Sequence, residues 1–170
     1  MKKILLLLLV ISSSYASASF PENLFGLKLG MDRQAAEIIM KKYNLKECEH
    51  NTYSPDVFCY SGDNIQILGI LFDEVSIIYD ERNMIKGVIF RLFIPQSEGT
   101  QRRIFRHLYD EIKPFAKSVK DENIRFNYLF KMNDRQYNNY VRLSIKEVLQ
   151  GEVGYYIVLT SSYTDKRLNW

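Results

Sequence analysis

The chain has 170 residues, 46% of them apolar and 14% aromatic, with 23 basic against 20 acidic residues and a formal charge of +3. That composition is too apolar for a disordered chain. It also lacks the strong basic excess expected of a nucleic-acid binder, so no nucleic-acid partner is expected.

The N-terminus reads as an export signal. Lys2 and Lys3 precede an unbroken apolar run of eight residues, Ile4 to Ile11, followed by serines and Ala16-Ser17-Ala18. Such a basic, apolar and small-residue order is that of a secretory signal with an A-x-A cleavage site. A helix of that run covers roughly 12 Å, against about 30 Å for a hydrocarbon core. The expectation is cleavage after Ala18, with residues 1–18 lost. A soluble periplasmic protein would then begin at Ser19, one domain over 19–170 with no transmembrane segment. Losing Lys2 and Lys3 brings acids and bases close to balance. No cysteine lies near the cleavage site to carry a lipid.

Leu24, Phe25, Leu27 and Leu29 surround Gly26 and Gly30, and Asp32 stands where an N-cap belongs. Ala36, Ile39, Met40 and Tyr43 recur at helical spacing, so a helix is predicted over 33–43. Cys48 and Cys59 follow, the chain's two cysteines. In an oxidising compartment such an isolated pair forms a disulfide. A metal site from Cys48, His50 and Cys59 lacks a fourth ligand at a recognisable spacing. No metal and no other cofactor is expected.

Ser61-Gly62-Asp63-Asn64 reads as a turn, and residues 65–72 as a strand covered on both sides. Asp73-Glu74 interrupts the pattern. Residues 75–80 and 84–94 alternate about Glu81-Arg82-Asn83 and form the clearest hairpin, ended by Pro95. A second helix is predicted over 96–118, with Ser97 as cap, a stripe of Ile104, Leu108, Ile112 and Phe115, and a kink or stop near Lys113 caused by Pro114. Residues 124–132, 140–146 and 155–160 then alternate as three strands with one wet face. Asn133-Asp134-Arg135 and Gln150-Gly151-Glu152 separate them as turns.

The expected class is α+β: two helix-plus-antiparallel-strand units, about 24–95 and 96–163, in one compact domain with the helices packed on an antiparallel sheet.

Catalytic patterns do not emerge. His50 and His107 are far apart, and neither H-E-x-x-H nor C-x-x-C is present. G-x-S-x-G is absent as well. Gly26 and Gly30 lack the third glycine and preceding strand of a dinucleotide fingerprint. The pairs Asp73-Glu74, Asp80-Glu81 and Asp110-Glu111 read as turn and helix-face charges. The chain is therefore read as a non-enzyme. Its most suggestive surface is the polar side of the last strands: Arg125, Asn127, Lys131, Tyr140, Arg142 and Lys146. Tyrosine and arginine are favoured at protein interfaces, so a protein partner in the cell envelope is expected there.

The stretch GLKLGMDRQAAEIIM resembles the Gly-Met-(Ser/Thr/Asp) helix start of small exported envelope proteins. These include outer-membrane assembly lipoproteins of the SmpA/OmlA type and tandem-repeat β-lactamase inhibitor proteins. The resemblance implies a helix on a small antiparallel sheet and a non-enzymatic role. It departs from the lipoprotein pattern in having no lipid-attachment cysteine and no Gly-x-Pro after the helix. Three functions follow as expectations: inhibitor- or immunity-like binding of another protein, an envelope-maintenance or chaperone-like accessory, and an envelope hydrolase of unrecognised type.

Overall fold

The structure, a computed structural model, describes residues 25–48, 55–95, 98–122, 126–132, 139–148 and 154–162. The export segment and the expected turns at 133–135 and 150–152 lie outside these residues, as does Ser97. Among the described residues the elements run α1 (Arg33–Lys42), β1 (Lys46–Glu47), β2 (Val57–Ile67), β3 (Ile70–Tyr79), β4 (Ile85–Pro95), α2 (Glu98–Ile112), a 3-10 turn (Lys113–Phe115), β5 (Ala116–Asp121), β6 (Asn127–Met132), β7 (Tyr140–Val148) and β8 (Gly154–Ser162).

All eight strands belong to one antiparallel sheet of order β1-β2-β3-β4-β8-β7-β6-β5. This corrects the expected α+β class. The chain does not divide into two helix-plus-strand units; it is a sheet-dominated fold with two short helices. The physical reason lies in its middle. β4 and β8 pair without interruption from Gly87↔Ser162 to Pro95↔Gly154, so the hydrogen-bond ladder runs through both halves. Each interior strand satisfies its backbone on both sides, and the helices contribute side chains to a framework the strands already define.

Local chemistry explains the elements. The Asp32 carboxylate accepts from the Ala35 N–H at 2.9 Å and starts α1, which ends where the Tyr43 N–H meets the Ile39 carbonyl. Gly30 takes φ +80°, a left-handed conformation open to glycine, and its N–H donates to the Ile85 carbonyl at 2.7 Å. The glycines before α1 thus turn the backbone and dock it on β4. Ser61 to Asn64 do not turn the chain. β2 continues through them with a register shift between Ser61 and Ile65. The reversal comes at Leu68-Gly69, both at positive φ, so the expected strand over 65–72 is the tip of a hairpin. Asp73 and Glu74 lie within the continuous strand β3. Pro114 does end α2, but residues 116–118, expected as helix, begin β5.

One sheet face carries the main core. Tyr60, Val75, Ile77, Val88, Phe90, Phe130, Val141, Leu143 and Leu159 pack there with Ala36 and Met40 of α1 and Phe105, Leu108 and Ile112 of α2. Phe90 is fully buried and meets Phe72 edge-on at 5.9 Å. The Cys48–Cys59 disulfide joins the end of β1 to β2, with Cα atoms 5.4 Å apart. Both edge strands carry charge: β1 is Lys46-Glu47, and β5 exposes Lys117, Lys120 and Asp121. Such edges resist pairing with other sheets.

Candidate functional site

The opposite face of the sheet has a different make-up. Registers place Val57, Ile78, Ile89 and Val158 on it, all buried. Around them sit buried hydroxyls from Ser76, Ser144, Thr160 and Ser162. The last three strands are expected to have one wet face, and on it Ser144, Val158 and Thr160 are buried.

Two transverse rows define the geometry. Ser61, Glu74, Arg91, Val158, Ser144 and Asn127 lie side by side across β2, β3, β4, β8, β7 and β6. One pleat away, Phe93, Tyr156 and Lys146 align across β4, β8 and β7. Arg142 and Lys146 flank Ser144 along β7. Neighbouring strands stand about 4.8 Å apart, and Arg91 and Arg142 lie near enough to Lys146 for their charges to act on it.

Each arginine is held in place. Arg91 Nη1 donates to Ser76 Oγ at 2.7 Å and lies 3.6 Å from the Glu74 carboxylate. Arg142 Nη1 pairs with the carboxylate of Glu122, whose side chain is only 6% exposed. Lys146 is exposed overall, yet it titrates below the ordinary lysine range. Partial desolvation is the larger cause, and the charges of Arg91 and Arg142 push the same way. The Phe93 and Tyr156 rings meet at a 55° tilt with centroids 5.4 Å apart, and the Phe93 N–H donates to Asp73 Oδ2 at 2.6 Å. Gly154 leaves room beside them: a Cβ there would lie 2.5 Å from the Phe93 ring and 2.9 Å from the Ile94 carbonyl oxygen.

Of the residues expected to form a binding surface, Asn127, Lys131, Tyr140, Arg142 and Lys146 share this face. Arg125 lies outside the described residues. The sequence reading missed Arg91, Glu122 and Phe93. Alternation marks Arg91 as opposite to Phe90, but nothing local says that β4 borders β8. Asn127 also departs from a solvated role, since its Oδ1 is buried without a hydrogen-bond partner.

The other candidates resolve into structural roles. His107 Nε2 lies 2.9 Å from the Leu68 carbonyl, tying α2 to the β2–β3 turn. Asp80 accepts from the N–H groups of Arg82 and Met84, each at 2.9 Å, and its pKa falls, first through the Met84 bond. Asp110 faces Arg106 one helical turn away at 4.0 Å.

An open depression of 580 Å³ lies at the start of α1, lined by Asp32, Arg33, Gln34, Glu37, Arg82 and Asn83. Its charges are already engaged. Arg33 Nε donates to Glu37 at 2.8 Å, and the guanidinium stacks 4.0 Å from the Phe58 ring centroid. Beneath it, Tyr79 buries a hydroxyl that has no hydrogen-bond partner. Among the described residues no helix is long and apolar enough to cross a membrane.

No protein-family model matches the chain, and no curated protein or solved structure is significantly similar to it.

Proposed function

We propose that this chain is an exported protein of the cell envelope that acts by binding another protein, in the manner of an inhibitor or immunity protein. The carrying observation is the gathering of Arg91, Arg142 and Lys146 around one buried patch of the sheet, with Tyr140 and Tyr156 on the same face. Arginine and tyrosine are the residue types that anchor protein interfaces. Lys146 is depressed first by partial desolvation and then by the charges of Arg91 and Arg142; an approaching carboxylate offsets both, so an acidic partner surface fits best. The signal-like N-terminus supports export, and the Cys48–Cys59 disulfide suits an oxidising compartment.

The test is affinity capture from periplasmic extract with the chain from Ser19 onward as bait. Captured protein is compared with that taken by Lys146→Glu and Tyr140→Ala baits. The reading expects one partner, retained at low salt, released as salt screens the charges, and lost to both variants. A partner held equally by all three baits, or no partner at all, overturns it.

A further inference from the structure

The disulfide has a third neighbour that the sequence does not reveal. Cys48 directly follows β1 and Cys59 lies on β2, while Glu74 lies on β3, the next strand of the sheet. The two sulfurs and a Glu74 carboxylate oxygen all fall within 4.8 Å of one another. Backbone pairing joins these positions alongside the sulfur–sulfur bond. The Cys48 N–H donates to the Cys59 carbonyl at 3.0 Å, Cys59 pairs with Ser76, and Glu74 pairs with Ser61. Breaking the bond therefore leaves two thiols and a carboxylate facing one point.

We infer that the reduced chain carries a Zn2+ site made by Cys48, Cys59 and Glu74. Zinc takes thiolate and carboxylate ligands in a tetrahedral shell, and three protein ligands with a water in the fourth position form a complete set. The site opens by thiol–disulfide exchange with a reductant of the dithiol class. The reductant's two thiols become its own disulfide, and its two electrons and two protons convert the Cys48–Cys59 bond into two thiols. Zn2+ then displaces both protons, forming two Zn–S bonds and one Zn–O bond. Two thiolates and a carboxylate leave one net negative charge around the ion. Arg91 Nη1, 3.6 Å from Glu74 Oε2, supplies the compensating positive charge and orients the carboxylate. Oxidised, the same residues close the β1–β2 connection and bind no metal, so the site is gated by the redox state of its own ligands.

The experiment uses the full chain from Ser19, oxidised or reduced by a dithiol that is then removed under inert gas. Each form is titrated with Co2+ and then Zn2+, while circular dichroism follows the sheet. The reduced chain is expected to bind one Zn2+, and its Co2+ form to show thiolate-to-metal charge-transfer absorption. The oxidised chain is expected to bind none. Glu74→Gln is expected to weaken Zn2+ binding by at least about tenfold while leaving the disulfide able to form. Three results overturn the assignment: equal Zn2+ binding by both redox forms, unchanged affinity in Glu74→Gln, or a reduced chain that loses its sheet and does not regain it with Zn2+.

Discussion

Phe90 and Ile89 are neighbours in β4, both buried, and they point to opposite faces of the same sheet. Phe90 enters a core closed by two helices, where aromatic and aliphatic side chains from every long strand meet. Ile89 enters a patch of four buried aliphatic residues, Val57, Ile78, Ile89 and Val158, ringed by hydroxyls and ion pairs. One face holds the fold together by volume. The other combines a small apolar centre with charge. Burial by itself does not separate the two; what surrounds the buried group does.

The largest test of this difference is Phe90→Ala. Removing a fully buried ring from the helix-covered face is expected to cost about 3–5 kcal/mol in denaturant unfolding. Ile89→Ala is expected to cost about 2–3 kcal/mol, at the lower end for such truncations. Equal losses would show the second face to be packed as tightly as the first.

Replacing both Cys48 and Cys59 by serine removes the clip between β1 and β2, and about 2–4 kcal/mol should go with it. Arg142→Ala leaves the Glu122 carboxylate nearly buried and without its arginine, a loss of about 2–3 kcal/mol. The double variant with Glu122→Ala should recover part of that loss, since no charge is then stranded. If the single and double variants are equally unstable, the pair does not hold this face in place.

Titration distinguishes the faces in another way. Under the helices, burial pushes the Tyr79 phenol well above its usual value near 10, with the Tyr60 hydroxyl adding to the effect. The folded chain keeps that proton to higher pH than the unfolded chain does. This contribution to stability is fully present below about pH 10 and is lost as pH rises through the folded value, at up to about 1.4 kcal/mol per pH unit. Tyr79→Phe should flatten the alkaline decline. At neutral pH it should change stability little, because the hydroxyl has no hydrogen-bond partner to lose. An unchanged alkaline slope would move the cause elsewhere. The smallest effect belongs to Asp32→Ala, which frees the capped N–H of α1 at a cost of about 1 kcal/mol.

Local patterns determined much of this molecule. Asp32 and the spacing of Ala36 and Met40 define α1, because capping and helical periodicity act within a few residues. Pro114 ends α2 because its ring cannot continue the hydrogen-bond pattern. Alternation assigned Asn127, Lys131, Tyr140, Arg142 and Lys146 to one side of their strands, since successive side chains in a strand point oppositely. Two cysteines eleven positions apart announced their bond. Where the sequence misled, longer-range pairing had won. Ser61-Gly62-Asp63-Asn64 has turn composition, but pairing with β3 draws it into a strand with a register shift. The two-unit α+β reading failed because β4 and β8, some sixty residues apart, join into one continuous sheet. That pairing also brings Arg91 to Arg142 and Lys146, and the pairing of β2 with β3 brings Glu74 to the disulfide. Side-chain direction is a property of the strand, readable in its own residues. Which strands lie side by side is decided by backbone pairing between distant segments, and both candidate sites depend on it.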